Sequence, residues 1–499
     1  MPDQAHVQES LSPERLVQRR WATVACMSAV FMPAVEATIV STAMPTIVAD
    51  LGGFRLYSWV FSAYLLMQAI STPIYGRLAD LFGRKRVFFA GAGLFLIGSA
   101  ACGFAWGMVP LVVFRALQGM GAGALQSIPI TIIGDLYSPR DRARVQGWLS
   151  GIWGIAAVIG PMLGAFIVEY LRWPLVFWIN LPIGVATIAM LALFFEERIE
   201  QRRHDVDYLG ALLLLLGVGG PMLVLVQARG LEGWAIASFL VIGAVSLVAL
   251  VVHERRVKEP IVPFKLWRRR VIAVGNFGGL GTGAVLMSVT AFLPTYIQGV
   301  MGLSPMTAGV VIGTQAVSWS VASVAAGWVM VRISYRVSGA IGGLALMAGA
   351  AMLIALEPGH GPLWAIGAAA VIGIGMGFSN TTFVVSVQAS VDWSERGVAT
   401  SSNLFMRTIG QTLGSALGGA ILNLGISRYA PEAVDAVNRL FEPGMRESLG
   451  VDGIARLSQA IATSLHDVYL ITGIVATAVL LITLRLPAGL SPTRSARGA

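Results

Sequence analysis

Three charged residues lie inside long apolar segments, and their side chains are the first candidates for chemistry. Glu36 lies in an apolar run that starts at Trp21, Arg115 in the run 109–134 and Arg407 in the run 399–426. Runs of this length are long enough to cross a bilayer. A charge near the bilayer centre costs about 2.5–3.5 kcal/mol on insertion scales, so such residues usually mark a transport pathway or a proton relay.

Glu36 and Arg115 lie at similar depths. Glu36 follows Trp21 by 15 residues, or about 22 Å of helix, and Arg115 lies about 9 Å into its segment from the opposite side. In a hydrocarbon core about 30 Å thick, both lie about 8–9 Å from the same surface. We therefore expect the two side chains to meet. Burial disfavours an isolated carboxylate and a nearby guanidinium favours it, so the pair is a candidate for proton coupling. A static structural ion pair is the alternative.

The elements that must position these residues are membrane-spanning helices. Hydrophobic residues make up 56% of the chain and charged residues 12%, against about 45–50% and 25% in soluble domains. Strands of a membrane barrel alternate polar and apolar residues and do not give this pattern. We predict an all-α integral membrane protein with fourteen spans, the second diluted by serines and Gln68: 21–43, 57–76, 86–106, 109–134, 145–168, 174–195, 208–228, 234–252, 271–296, 306–331, 338–356, 362–388, 399–426 and 466–485.

The positive charges predict the orientation. With the N-terminus inside, inside segments hold 26 of the 35 Lys and Arg residues and outside segments hold seven. This bias follows the positive-inside rule and places both termini in the cytoplasm. The net charge of +9 then reflects topology, and nucleic acid is excluded as a partner. The first run is as long as a full span and lacks a cleavage site, so we interpret it as a retained helix of a bacterial inner-membrane protein.

An internal repeat divides the chain. Six matching positions recur 254 residues later, which shifts two spans and their loop by eight helices; Gly119, Gly121, Gly123, Arg142, Gly160 and Gly164 match Gly373, Gly375, Gly377, Arg396, Gly414 and Gly418. A six-helix repeat with two inserted helices explains this shift, and paired halves are a transporter architecture. The predicted divisions are 1–20, a first bundle 21–196, an inserted pair 197–270, a second bundle 271–486 and a tail 487–499. In the outside loop 427–465, the four-residue spacing of Leu457, Ile461 and Leu465 predicts an amphipathic helix.

The loop after the second span carries a specific motif. Two glycines stand seven residues apart with an acid between them and a basic run after the second; the residues are Gly76, Arg77, Asp80, Gly83, Arg84 and Lys85. This resembles the signature loop of the major facilitator superfamily. The resemblance implies a cytoplasmic latch between the two halves, in which the acid accepts hydrogen bonds from a helix N-terminus or pairs with an arginine. A positively charged loop without a special role is the alternative.

Three further segments resemble one branch of that superfamily. Arg115 followed by Gly119, Gly121 and Gly123 is similar to the family's motif on the fourth helix. The fifth helix resembles the Gly-Pro motif of drug/proton antiporters, with Gly151, Gly160, Pro161 and Gly164. The segment from Glu36 to Ile47 is similar to the fourteen-helix QacA/EmrB type, in which Asp usually stands at the position of Glu36. Small residues at helical spacing let helices approach closely, which generic packing also needs.

Polar residues within the spans are candidates to line a substrate cavity: Thr38, Gln118, Gln126, Asn276, Gln315, Asn380, Asn403 and Arg407. Hydrogen-bonded packing is the alternative for most of them. We favour Gln118, Gln126 and Asn380, because they lie on helices that face the centre in the family. Arg407 follows an Asn/Arg pattern similar to the family's, and partnership with the latch, an inner vestibule and a structural role are all open for it.

The leading hypothesis is a proton-coupled multidrug exporter of lipophilic, cationic compounds that works by alternating access. The sequence shows no nucleotide loop, metal set or nucleophile, so we expect no enzyme and no cofactor, and a proton gradient as the energy source. The alternatives are export of a metabolite, lipid or siderophore on the same fold, and a non-transporting scaffold or receptor. The expected partners are small lipophilic or cationic substrates and the lipid bilayer, with a periplasmic adaptor protein as a further candidate.

Overall fold

The computed structural model describes residues 13–137, 139–197, 207–227, 232–257, 261–262, 264–392, 395–429, 440 and 450–487. Within these ranges the chain is helical and contains no strand. We number its long helices α1 (Pro13–Leu51), α2 (Tyr57–Phe82), α3 (Arg84–Gly103), α4 (Met108–Leu136), α5 (Pro139–Tyr170), α6 (Leu175–Phe194), α7 (Tyr208–Gln227), α8 (Gly233–Glu254), α9 (Arg270–Thr295), α10 (Pro305–Arg332), α11 (Tyr335–Ile354), α12 (Gly361–Ala389), α13 (Arg396–Tyr429) and α14 (Gly450–Thr483).

The helices match the predicted spans in order, and most extend beyond them. Thirteen are long and apolar enough to cross a membrane, and α2 is the remaining long helix of the described chain. The serines and Gln68 that dilute the apolar character of α2 are buried inside the bundle. Helix α6 is interrupted at Ile179, between Leu175–Trp178 and Asn180–Phe194. Helix α9 continues into a π-helical turn, Tyr296–Val300.

The two halves of the chain pack in the same way. In the first half, α4 lies between α2 and α3: a Cβ at Gly119 would lie 2.3 Å from a backbone oxygen of α2, and one at Gly121 2.3 Å from a backbone nitrogen of α3. In the second half, α12 lies between α10 and α11, and Gly373 and Gly375 make the equivalent approaches, at 2.2 Å and 2.7 Å. The glycine repeat therefore corresponds to equivalent helix contacts in each half, where only a missing Cβ permits the distance.

The same equivalence holds for α5 and α13. Gly160 and Gly164 of α5 lie against α1, and Gly414 and Gly418 of α13 lie against α9. Across the molecule α5 then contacts α10, and α2 contacts α13. The halves are therefore arranged as two equivalent bundles that meet along two helix pairs.

The bundle is joined at one end and open at the other. We call the end that holds the α2–α3 turn at Gly83 the amino face and the other end the far face. At the far face Tyr57 donates a hydrogen bond of 2.6 Å to the Ala291 carbonyl, and Asn423 donates one of 2.9 Å to the Arg55 carbonyl. Towards the amino face, the four helices that pair across the halves each have a glycine with open space where a Cβ would be: Gly76 of α2, Gly151 of α5, Gly327 of α10 and Gly397 of α13. The halves therefore separate towards the amino face.

The inserted helices α7 and α8 pack against each other and against both halves. Their apolar side chains form one cluster with Leu66 and Ile70 of α2 and Ala416 of α13. The inserted pair thus covers one of the two seams between the halves.

The far-face segment before α14 differs from the predicted division. The expected amphipathic helix and the last span are one continuous helix, which begins at Gly450. Leu457, Ile461 and Leu465 are buried, because this helix packs against α9, α11 and α13 along its length. Most of the loop between α13 and α14 lies outside the described residues.

Candidate functional site

Glu36 and Arg115 form a buried ion pair. The Arg115 Nη1 donates to Glu36 Oε1 at 2.5 Å, and the Arg115 and Glu36 side chains are 1% and 0% exposed. The two residues come from α1 and α4, so the pair fastens two helices of the first half. An isolated charge at this position would be strongly disfavoured, whereas a paired and hydrogen-bonded one is tolerated.

The second oxygen of Glu36 is held by a residue that the sequence did not reveal. Asn180, the first residue of the second piece of α6, donates to Glu36 Oε2 at 2.6 Å and contacts Ser99 Oγ at 3.1 Å. Gln118 donates to the same Ser99 oxygen at 3.1 Å. Both carboxylate oxygens of Glu36 therefore accept hydrogen bonds from nitrogen donors, and such bonds stabilise the ionised form of a carboxyl group.

Arg115 has other partners besides Glu36. Its Nε donates to the Val60 carbonyl at 3.1 Å, and its Nη1 also reaches Gln118 Oε1 at 2.7 Å. Its Cζ lies 4.1 Å from the ring centroid of Tyr64, which is a cation–π geometry. If Glu36 became neutral, the guanidinium would keep these partners. The network can therefore exist with Glu36 in either protonation state.

Asn180, Ser99 and Tyr64 complete the site from α6, α3 and α2. Each is an uncharged residue of a long helix, and many uncharged polar residues in such helices serve only in packing. No spacing rule singles them out, since they become neighbours only when four helices pack around Glu36.

The predicted latch residues lie at the amino face, and their described contacts stay within the first half. The α2–α3 turn needs Gly83, whose φ is +92°, a left-handed value that favours glycine. Glu197, beyond α6, accepts hydrogen bonds from the backbone N–H groups of Arg84 and Lys85, and so provides the negative charge at the N-terminus of α3. Arg84 also pairs with Asp135 of α4.

The remaining latch residues add little to that set of contacts. Lys85 Nζ donates to the carbonyls of Ala192 and Phe195 at 2.7 Å and 2.9 Å. Gly76 and Arg77 belong to the end of α2, and the side chain of Asp80 lies outside the described part of the structure. The described contacts of Arg84 and Lys85 join α3 to α4 and α6 within the first half, and a latch between the two halves stays a prediction.

The Gly-Pro motif of α5 lies where α1, α5 and α10 meet. Thr38 lies against Gly160, and Thr42 donates to the Pro161 carbonyl at 3.0 Å. On the other side, a Cβ at Gly309 of α10 would lie 3.0 Å from that carbonyl oxygen. The close-packed contact between α1, α5 and α10 therefore includes Gly160, Pro161 and Gly164. Gly151 lies nearer the amino face, with open space where a Cβ would be.

The cavity candidates of the first half have different positions. Gln118 is fully buried in the ion-pair network, so its side chain faces Arg115 and Ser99. Gln126 is half-buried and accepts a hydrogen bond of 3.0 Å from Gln68. Thr38 is half-buried at the α1–α5 contact. Gln126 and Thr38 thus remain accessible, and Gln118 does not.

The cavity candidates of the second half include one cation, Arg407, which has no acidic partner in the described chain. Asn276, Gln315 and Asn403 are buried. Arg407 is half-buried, donates to Asn380 Oδ1 at 3.3 Å, and forms no salt bridge with an acid in the described chain; its Nε is buried without a partner. Within the described residues, Arg407 therefore has no carboxylate partner, whereas Arg115 has Glu36.

A bundle of two equivalent halves, joined at one face and separated at the other, with a buried ion pair in one half, defines a membrane transporter. Residues 26–415 match the family described as the Major Facilitator Superfamily, and the chain belongs to this family.

Several of its relatives are named as multidrug transporters or efflux pumps. It is 34% identical over 398 residues to the multidrug transporter protein MdtP of Bacillus subtilis (strain 168), covering 79% of this chain and 74% of that protein. It is 31% identical to multidrug resistance protein 3 of the same organism, covering 91% and 92%. A crystal structure of a bacterial homologue of the human lysosomal transporter Spinster, inward-facing and occupied, has the same fold, with a TM-score of 0.63, 18% identity and coverage of 97% and 100%. The relatives place the chain in the drug-efflux branch of the family.

Proposed function

We propose that this protein is a proton-coupled multidrug exporter of lipophilic compounds, lipophilic cations among them. It would exchange protons for substrate by alternating access. The observation that carries the proposal is the buried Glu36–Arg115 pair, which is enclosed in the first half. Arg115 has other partners besides Glu36, so it can stay buried when Glu36 loses its negative charge.

The coupling step follows from the contacts of the pair. With Glu36 ionised, its two oxygens hold Arg115 of α4 and Asn180 of α6 to α1. Protonation of Glu36 would remove the charge that attracts Arg115, and would loosen α1 from α4. Because α1 also contacts α5 and α9, this change acts on the helices that join the halves.

The ionised pair belongs with the conformation seen here. Neither side chain is exposed while the amino face is open, so a proton would reach Glu36 when the far face opens. We therefore propose that Glu36 is deprotonated in the amino-face-open state and protonated in the far-face-open state. The proton taken up from the far face would leave Glu36 towards the amino face as that face opens, before the carboxylate pairs with Arg115. Protons and substrate would then move in opposite directions.

The orientation proposed is amino face inward, in a bacterial inner membrane. The excess of Lys and Arg lies in the segments of that face, as the positive-inside rule requires. A periplasmic adaptor protein is a further proposed partner.

The test is transport in everted membrane vesicles with an imposed pH gradient, using ethidium as the lipophilic cation. The wild type should accumulate ethidium and release lumenal protons in exchange. Glu36→Gln imitates the protonated state and should abolish gradient-driven uptake while keeping ethidium binding. Glu232→Gln, which changes an exposed acid at the far end of the bundle, is the matched control and should behave like the wild type. Retained gradient-driven uptake in Glu36→Gln would exclude Glu36 as the coupling residue.

A second candidate keeps the fold and changes the cargo to an acidic metabolite. Arg407 favours it, because a half-buried guanidinium without a carboxylate partner attracts an anionic group. Competition by lipophilic carboxylates in the same vesicle assay separates this candidate from the first.

A further inference from the structure

The inserted helix pair holds a buried pair of acids that the transport mechanism does not use. Asp207 immediately precedes α7 and Glu254 ends α8, so both lie at the amino face. The Asp207 side chain is 4% exposed and Glu254 is 3% exposed. Acids are almost never buried this fully unless a partner or a cation compensates the charge.

One oxygen of each acid has a partner. Asp207 Oδ1 accepts from the Gly210 N–H at 2.7 Å and contacts His253 Nε2 at 2.7 Å. Glu254 Oε2 accepts from the Val262 N–H at 3.3 Å. The other two oxygens, Asp207 Oδ2 and Glu254 Oε1, are buried and have no partner.

The two unpartnered oxygens face the same point. A Cβ at Gly210 would lie 2.4 Å from Asp207 Oδ2 and 3.0 Å from Glu254 Oε1, so the two oxygens are at most about 5.4 Å apart. Two buried carboxylates this close disfavour each other's ionisation. One cation between them resolves the conflict.

The charged surroundings favour a proton as that cation. His253 contacts Asp207 at Oδ1 and also lies near Glu254, and it leaves Asp207 Oδ2 and Glu254 Oε1 without a hydrogen-bond partner. Arg255 and Arg256 follow Glu254 and form no described ion pair with either acid, and Ile261 and Val262 of the packed linker carry no charge. No group of three or more His, Cys, Asp or Glu residues in the described ranges is arranged to hold a metal ion.

We propose that Asp207 and Glu254 share one proton, and that this proton fastens the inserted helices to the linker leading into the second half. Glu254 accepts a hydrogen bond from the Val262 N–H of this linker. The neighbouring Ile261 packs in the apolar cluster that joins α7 to α2 and α13. Loss of the proton would place two negative charges in the cluster and weaken it. The inserted pair is then a second protonation site, separate from Glu36, and the proposal does not depend on what the protein transports.

The test uses the full chain in nanodiscs. Glu254→Gln keeps the acceptor for Val262 and supplies an N–H for Asp207 that does not titrate. The infrared difference spectrum between wild type and Glu254→Gln at neutral pH should show one protonated carboxyl band, which disappears at alkaline pH. Since the folded wild type holds a proton that the unfolded chain lacks, its melting temperature should fall by several degrees relative to Glu254→Gln as pH rises.

The infrared difference spectrum between wild type and Asp207→Asn should show the same carboxyl band. Glu232→Gln, which changes an exposed acid, is the control. Absence of a protonated carboxyl band in the wild type overturns the proposal. So does a stabilisation that follows sodium chloride, compared with choline chloride, since that result assigns the site to a sodium ion.

Discussion

A single methyl group at Gly309 should shift the equilibrium between the two open conformations. Gly309 lies on α10 near the far face, where α10 packs against the Gly-Pro segment of α5. A Cβ there would lie 2.9 Å from the Ala165 Cβ and 3.0 Å from the Pro161 carbonyl oxygen. The contact exists because the far face is closed, so the added methyl group penalises this conformation and spares the one in which the far face opens.

The size of the shift follows from the geometry. Carbon atoms in ordinary contact are about 3.5–4.0 Å apart, so α10 and α5 must separate by roughly 0.5 Å or more. Inserting a methyl group into a well-packed contact costs about 1–3 kcal/mol. If that cost falls on one conformation alone, the population ratio changes about 5- to 150-fold.

Spin labels at the open end of the same two helices report the change. Cysteines at Gly151 of α5 and Gly327 of α10 have space for a label. The native Cys26 and Cys102 are buried and will not compete for it. In the wild type we expect a long distance between the labels. Gly309→Ala should increase the population with a short distance, because the amino face closes when the far face opens.

Gly313→Ala is the matched control, one turn further along α10. A Cβ at Gly313 would lie 3.8 Å from the nearest side-chain atom, which is ordinary contact. Both substitutions raise the helix propensity of α10 equally, so only the far-face contact differs between them. An unchanged distance distribution in Gly309→Ala, or an equal change in Gly313→Ala, would refute the reasoning.

Three further substitutions test the remaining contacts. Asn180→Leu leaves one oxygen of Glu36 without a donor and should cost about 1.5–3 kcal/mol, seen as a lower melting temperature; an unchanged value would mean that water replaces the amide. Glu197→Gln should lower the melting temperature by weakening the N-terminus of α3, at about 0.5–2 kcal/mol, whereas its exposed neighbour Glu196→Gln should not. Arg407→Gln removes the positive charge and should preserve efflux of lipophilic cations while reducing competition by lipophilic carboxylates; equal competition in both proteins would exclude Arg407 from anion binding.

The pairing of Glu36 with Arg115 was accessible from the sequence, because depth in a membrane is a function of residue count along a helix. Two opposite charges at the same depth, in a medium that disfavours isolated charge, are expected to pair. The repeat was accessible for a similar reason: glycines that permit close helix contacts stand at one constant offset in both halves.

Asn180 and Glu197 were not accessible in this way. Asn180 is uncharged and follows the break in α6 at Ile179, and Glu197 lies beyond the end of a helix. Gln118 illustrates the converse. It was expected in a substrate cavity, and the structure places it in the ion-pair network, because the direction of a polar side chain depends on which helices surround it.

The sequence by itself determined the class of protein, the order of its long helices, the repeat, and Glu36 and Arg115 as residues that carry buried charge. These depend on hydrophobicity and periodicity, which act locally along the chain. Only the tertiary structure decided which side chains satisfy those charges, which face of the bundle is closed, and that Asp207 and Glu254 lie together although 47 residues separate them. Such contacts join helices distant in sequence, so their geometry is set by packing and not by any local pattern.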